Sequence, residues 1–123
     1  MKIKIEKLKC NYTQYLFLAK CETKEELVKY LNEEYDLNLV EEPEPKTLGT
    51  SYRVEHDDKA DHFYIWIKPR QRGKSLYGTI YHESLHIVFK IFSMIGTWQS
   101  NSSEEAYTYL VDDISDQVYE LIK

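Results

Sequence analysis

Along the first forty residues the apolar positions begin with a period of two and then turn helical. Ile3 and Ile5 alternate with Lys2, Lys4 and Glu6, the spacing that puts one strand face on a core. After the turn-like Asn11, the segment Gln14-Tyr15-Leu16-Phe17-Leu18-Ala19 is rich in strand formers, so two antiparallel strands are expected. Thr23 stands three residues before Glu26, and Leu27, Tyr30, Leu31 and Tyr35 follow at helical spacing. That capping pattern predicts a helix from about Lys24 to Tyr35. The prolines of Glu41-Glu42-Pro43-Glu44-Pro45-Lys46 end any helix and leave a solvated connection too short to separate domains.

In the second half, Ser51 to His56 and His62 to Lys68 flank the polar Asp57-Asp58-Lys59-Ala60-Asp61 and read as a hairpin. Phe63, Ile65 and Ile67 share one face of its second arm, and Tyr64 and Trp66 the other, so that arm is suited to burial on both sides. After the basic stretch Pro69 to Lys74, Ser75 is placed to cap a long helix that stops at Gly96. Thr97 to Ser103 connects it to a last helix over about Glu104 to Ile122, where Ala106, Leu110, Ile114, Val118 and Leu121 recur at three- and four-residue steps. The fold class expected is α+β. A small antiparallel sheet would pack on a central motif helix and a C-terminal helix, as one domain over 1–123.

Composition narrows the function. With 123 residues, 16 Lys and Arg against 21 Asp and Glu, and a net charge of -5, the overall field repels phosphate backbones, so no nucleic-acid partner is expected. No apolar run approaches the roughly 18 residues of a spanning helix, and Met1 to Lys7 lacks the apolar stretch of an export signal. A cytoplasmic protein without a membrane partner is the expectation. Cys10 and Cys21 are the two cysteines, too few for a disulfide scaffold, and they read as free thiols in a reducing compartment.

The long helix is apolar almost all round, yet its middle carries His82-Glu83-Ser84-Leu85-His86. Burying a carboxylate beside two imidazoles costs several kcal/mol unless something pairs with them, and a bound cation would remove that cost. Four residues at about 100° each bring His86 back to within roughly 40° of His82, one turn along. Two ring nitrogens can therefore converge on one ion. Glu83 on the adjacent flank can accept a proton from a water held there. This is the HExxH arrangement of zinc metalloproteases. With 4 His in the chain, roughly 0.01 to 0.02 such motifs are expected by chance.

Zinc in a catalytic site takes three protein ligands and a water. Candidates for the third are Glu104 and Glu105, which an antiparallel helical hairpin would return toward the motif. The motif helix followed by a glutamate-bearing helix resembles thermolysin-like enzymes and related gluzincins. In that family the ligating Glu begins a downstream helix, with a small residue three positions on and often Asp next. The resemblance implies zinc held by His82, His86 and Glu105, with Thr108 at the small position; Tyr109 departs from the pattern. A helical wheel, however, tilts Glu104 closer to the apolar stripe. The chain also looks similar to small metallopeptidase-like proteins of phages and mobile elements.

The activity this implies is peptide-bond hydrolysis on a peptide or protein substrate, with Zn2+ as cofactor and Glu83 as general base. Gluzincins also place an edge strand beside the cleft. The segment His62 to Lys68 is the candidate here, with Tyr64 and Trp66 expected to line a substrate groove. An alternative of another class is a zinc-stabilised interaction domain that cleaves nothing. His56 and His62 beside Asp57, Asp58 and Asp61 offer a weaker second cation site.

Overall fold

The computed structural model describes residues 3–40, 47–55, 60–96 and 104–123. Seven elements follow in order: β1 (Lys4–Lys7), β2 (Leu16–Lys20), α1 (Lys24–Tyr35), β3 (Gly49–Val54), β4 (His62–Ile67), α2 (Gly73–Ile95) and α3 (Glu104–Ile122). The four strands form one sheet in the order β1-β2-β4-β3. The chain is α+β, with α1 on one face of the sheet and α2 and α3 on the other.

The sheet is mixed, not antiparallel throughout. β1 and β2 are antiparallel, as are β3 and β4, but β2 and β4 run parallel, with Leu16 opposite Phe63 and Leu18 opposite Ile65. The reason lies in the route of the chain. It leaves β2, crosses the sheet through α1, descends β3 and turns back into β4, and such a crossover makes its two outer strands parallel. β4 is thereby a central strand with a neighbour on each side, and the expected edge-strand role of His62 to Lys68 passes to β3.

Alternation sorts the side chains of β4 as expected. Phe63, Ile65 and Ile67 join Leu16, Leu18, Ile80, Ile87, Val88, Ile91 and Ile114 in the core beneath α2 and α3. Tyr64 and Trp66 join Ala19, Leu27, Leu31 and Val54 in a second core beneath α1. There the Trp66 indole N–H donates to the Cys21 carbonyl at 3.0 Å, which satisfies the polar edge of a ring that is only 2% exposed.

The helix ends follow local chemistry. Thr23 Oγ1 accepts the Glu26 N–H at 3.2 Å at the start of α1. Gly96 closes α2 in the left-handed region at φ 78°. Ser75 is not the cap expected of it: α2 begins two residues earlier, after Arg72, and the Ser75 hydroxyl donates to Gln71 Oε1 at 3.0 Å. The prolines of the 41–46 connection and Ser102-Ser103 before α3 lie outside the described residues. Cys10 and Cys21 are free thiols.

α2 and α3 form the antiparallel hairpin expected of them. Phe92 packs edge-on against Tyr107 at one end, and Tyr77 stacks on Tyr119 at the other. α2 is not buried all round, however. Its buried side carries Thr79, Ile80, Glu83, Ser84, Ile87, Val88, Ile91 and Phe92, while Tyr77, Tyr81 and Phe89 are 55, 51 and 42% exposed. No helix among the described residues is long and apolar enough to cross a membrane.

Candidate metal centre

The helical period divides the motif between two flanks of α2. His82 and His86 lie on the solvent side, one turn apart, and their Nε2 atoms approach to 3.1 Å. Glu83, about 100° further round, turns onto the flank that faces β3 and is 7% exposed. The cost of burying an ionised group therefore falls mainly on Glu83 and less on the histidines.

A glycine lets Glu83 reach the sheet. α2 crosses β3 at Gly49, where a β-carbon would stand 2.8 Å from Thr79 Cγ2, 2.9 Å from Glu83 Cγ and 3.1 Å from the Trp66 carbonyl oxygen. The missing side chain is the space that Thr79 and Glu83 occupy. Gln71 pins the crossing from the side. Its Nε2 donates to the Leu48 and Lys68 carbonyls at 2.9 and 2.8 Å, and its Oε1 accepts the Ser75 and Thr79 hydroxyls. Further along α2, Lys90 Nζ donates to Ser51 Oγ at 2.8 Å, tying the other end of the helix flank to the same strand.

A trough results between α2 and the outer edge of β3. Thr47, Gly49 and Glu83 line its whole length, His82 borders one end and His86 the other. Burial pushes the Glu83 carboxyl up from its ordinary value, against the pull of His82, Lys90 and Lys24. Burial, then His82 and Lys90, hold the His86 imidazole below its ordinary value, which favours the neutral ring that a metal requires. The Lys90 ammonium is also lowered by burial, with Glu83 opposing.

The donor set fits zinc in part. Nitrogens bound to a tetrahedral zinc at about 2.0–2.1 Å lie about 3.3 Å apart, within a few tenths of the spacing of the two Nε2 atoms, and both rings face solvent. Glu105 is not brought to them. It lines a separate hollow with Asn11, Tyr12, Tyr109 and Asp113. The physical reason is rotational: Tyr107 is buried against α2, and Glu105 precedes it by two residues, about 160° away around the helix. Among the described residues, no group of three or more His, Cys, Asp and Glu side chains is gathered to hold a metal.

Tyr64 and Trp66 do not line the trough. Both are 2% exposed, in the core on the opposite face of the sheet, because β4 is central and its outward positions are covered by α1. The second cation site is not formed by the residues described: Asp61 is paired with Arg53 at 2.7 Å, and His62 Nδ1 contacts the Tyr35 hydroxyl at 2.6 Å. His56, Asp57 and Asp58 lie outside the described residues.

Three participants were not singled out by sequence reasoning. Lys90 had a signal, since it stands four residues after His86 and so continues the same side of the helix for one more turn. Gly49 and Gln71 had none, because their roles depend on which strand α2 crosses. No known family model, curated protein or solved structure matches this chain.

Proposed function

We propose that this chain is a zinc-dependent peptidase in which Nε2 of His82 and His86 hold the metal and Glu83 is the general base. The observation that carries this reading is the convergence of the two Nε2 atoms at 3.1 Å with the Glu83 carboxylate on the adjoining flank of the same trough. Zinc, when bound, supplies a Lewis acid and lowers the pKa of a coordinated water toward about 7.

The chain's own residues do the rest. Glu83, held in a low-dielectric crevice over Gly49, has its carboxyl raised toward the range in which it can take a proton and return it to a leaving amine. His82, Lys90 and Lys24 oppose that rise. β3 is an outer strand of the sheet, and an extended peptide can pair with its edge and run along the trough. The peptide or protein substrate is thus placed by backbone pairing, not by the aromatic side chains of β4.

The exposed Tyr77, Tyr81 and Phe89 on α2 favour a second reading, a zinc-dependent binding module that contacts a partner through this apolar surface and cleaves nothing. Glu83→Gln separates the two. The peptidase reading expects the variant to keep its zinc and its fold while kcat/KM on a quenched fluorescent peptide library falls by about 10²–10⁴. Undiminished turnover in Glu83→Gln would overturn it, as would a zinc-loaded wild type that cleaves nothing.

A further inference from the structure

The trough differs in charge from one end to the other. At the His82 end the lining adds Leu48, Gly78 and Thr79, and among the described residues Glu83 is the one charged carboxylate or ammonium there. At the His86 end, a hollow of about 300 Å³, the lining adds Lys24, Thr50, Ser51 and Lys90. Two ammonium groups from different elements, the first residue of α1 and a late turn of α2, thus border one hollow. Among the described residues that line the hollow, Glu83 is the carboxylate that stands against them. The described lining of this hollow thus carries two ammonium groups and one carboxylate, in a chain of net charge -5.

Lys90 is held in place. Its side chain is partly buried, and its Nζ is fixed by the 2.8 Å hydrogen bond to Ser51 Oγ. An ammonium donates three hydrogen bonds, and a serine hydroxyl that accepts one still has its own O–H to donate. Lys90 and Ser51 can therefore give parallel hydrogen bonds to the two oxygens of one carboxylate, and Lys24 on the same hollow adds charge. A partly desolvated ammonium gains most from an anion.

We propose that the His86 end of the trough is a carboxylate-binding subsite, in which Lys90 and Ser51, reinforced by Lys24, take the C-terminal carboxylate or an Asp or Glu side chain of a bound peptide. Lys90 lies four residues beyond His86, about 6 Å along the helix axis, the length of about two extended residues. The carboxylate would sit that far from the metal-binding turn, with the rest of the peptide running past Glu83 toward His82. As a specificity element the subsite rests on the peptidase reading; as a binding site it does not.

The test is an amide-resolved NMR titration of the zinc-free protein with three peptides. These are acetyl-alanyl-alanine with a free C-terminus, acetyl-aspartyl-alaninamide, and the uncharged acetyl-alanyl-alaninamide. At least one charged peptide should shift the Thr50, Ser51 and Lys90 amides with a Kd about tenfold or more below that of the uncharged one, and which one does so identifies the source of the carboxylate. Lys90→Met should erase the difference. If that variant does not fold, Glu83→Gln decides, since removing the competing carboxylate should tighten binding of the charged peptide. Equal binding of charged and uncharged peptides, no binding at all, a preference that survives in folded Lys90→Met, or no tightening in Glu83→Gln would overturn the subsite. Carboxylate-selective binding in a protein that hydrolyses nothing would overturn the peptidase reading alone. Hydrolysis without carboxylate preference would overturn the subsite alone.

Discussion

Replacing Gly49 and Gly78 by alanine should move stability in opposite directions. Both positions line the trough, but their surroundings differ. A β-carbon at Gly49 would meet Thr79 Cγ2 at 2.8 Å, Glu83 Cγ at 2.9 Å and the Trp66 carbonyl oxygen at 3.1 Å. None of the three gives way easily. Thr79 is β-branched in a helix and its single hydroxyl proton lies between Ser75 O and Gln71 Oε1, Glu83 is buried, and the Trp66 oxygen belongs to β4, a central strand. Overpacking of this kind costs about 1–3 kcal/mol. For 123 residues the unfolding entropy makes 1 kcal/mol worth about 4 °C in Tm, so Gly49→Ala should lose about 4–12 °C. At Gly78, inside α2, nothing lies within 4 Å of an added β-carbon, and alanine should gain about 0.5–1 kcal/mol from helix propensity. Urea unfolding followed by circular dichroism measures both, with the m-value checked for constancy. A Gly49→Ala protein as stable as the wild type would refute the close crossing of α2 over β3 on which the placement of Glu83 depends.

Three further outcomes follow from the same physics. Burial, reinforced by Glu26, pushes the Cys21 thiol up to about 11, so in the native protein at pH 8 it should react with a disulfide reagent about a hundredfold more slowly than a thiol at the ordinary 9.0; rapid reaction before unfolding would contradict its burial. Stability should fall as pH rises above about 9. Cys21, Tyr64, Tyr35 and Tyr30 are all raised by burial, so the folded state keeps protons that the unfolded chain releases from its ordinary values of 9.0 and 10.0, and ΔG of unfolding declines with pH. Lys90, lowered by burial, works in the other direction, one group against four; a urea midpoint that holds or rises from pH 8 to 10.5 would show the sign to be wrong. Thr23→Ala removes the 3.2 Å cap of α1 and should cost about 1 kcal/mol, read as a lower urea midpoint at unchanged m; no change would show that the cap does not hold the helix start.

Local signals in the sequence reached far into this fold. The Thr23 cap, the Gly96 stop and the period-two split of β4 are each set by a few neighbouring residues, and each appears in the structure where the pattern places it. The parallel pairing of β2 with β4 was not legible, because it depends on the path of the chain through α1 and β3 and not on any strand's own residues. From that one topological fact follow the burial of Tyr64 and Trp66 and the transfer of the edge to β3. The site divides the same way. His82 and His86 share a face through helical periodicity alone, and the antiparallel return of α3 was likewise readable. The rotation of α3 was not: Tyr107 and Leu110 take its inner face and turn Glu105 toward Tyr12. Gly49 is a glycine because of what crosses it, and no local pattern announces that.

The most direct test of the central claim is zinc bound per chain, measured by plasma mass spectrometry after reconstitution and dialysis, for the wild type, His82→Ala, His86→Ala and Glu83→Gln. Convergent Nε2 atoms on one turn predict one zinc per wild-type chain, retained in Glu83→Gln and lost in both folded histidine variants. A wild type that retains no zinc, or histidine variants that retain it in full, would contradict the assignment of the His82–His86 turn as a metal centre.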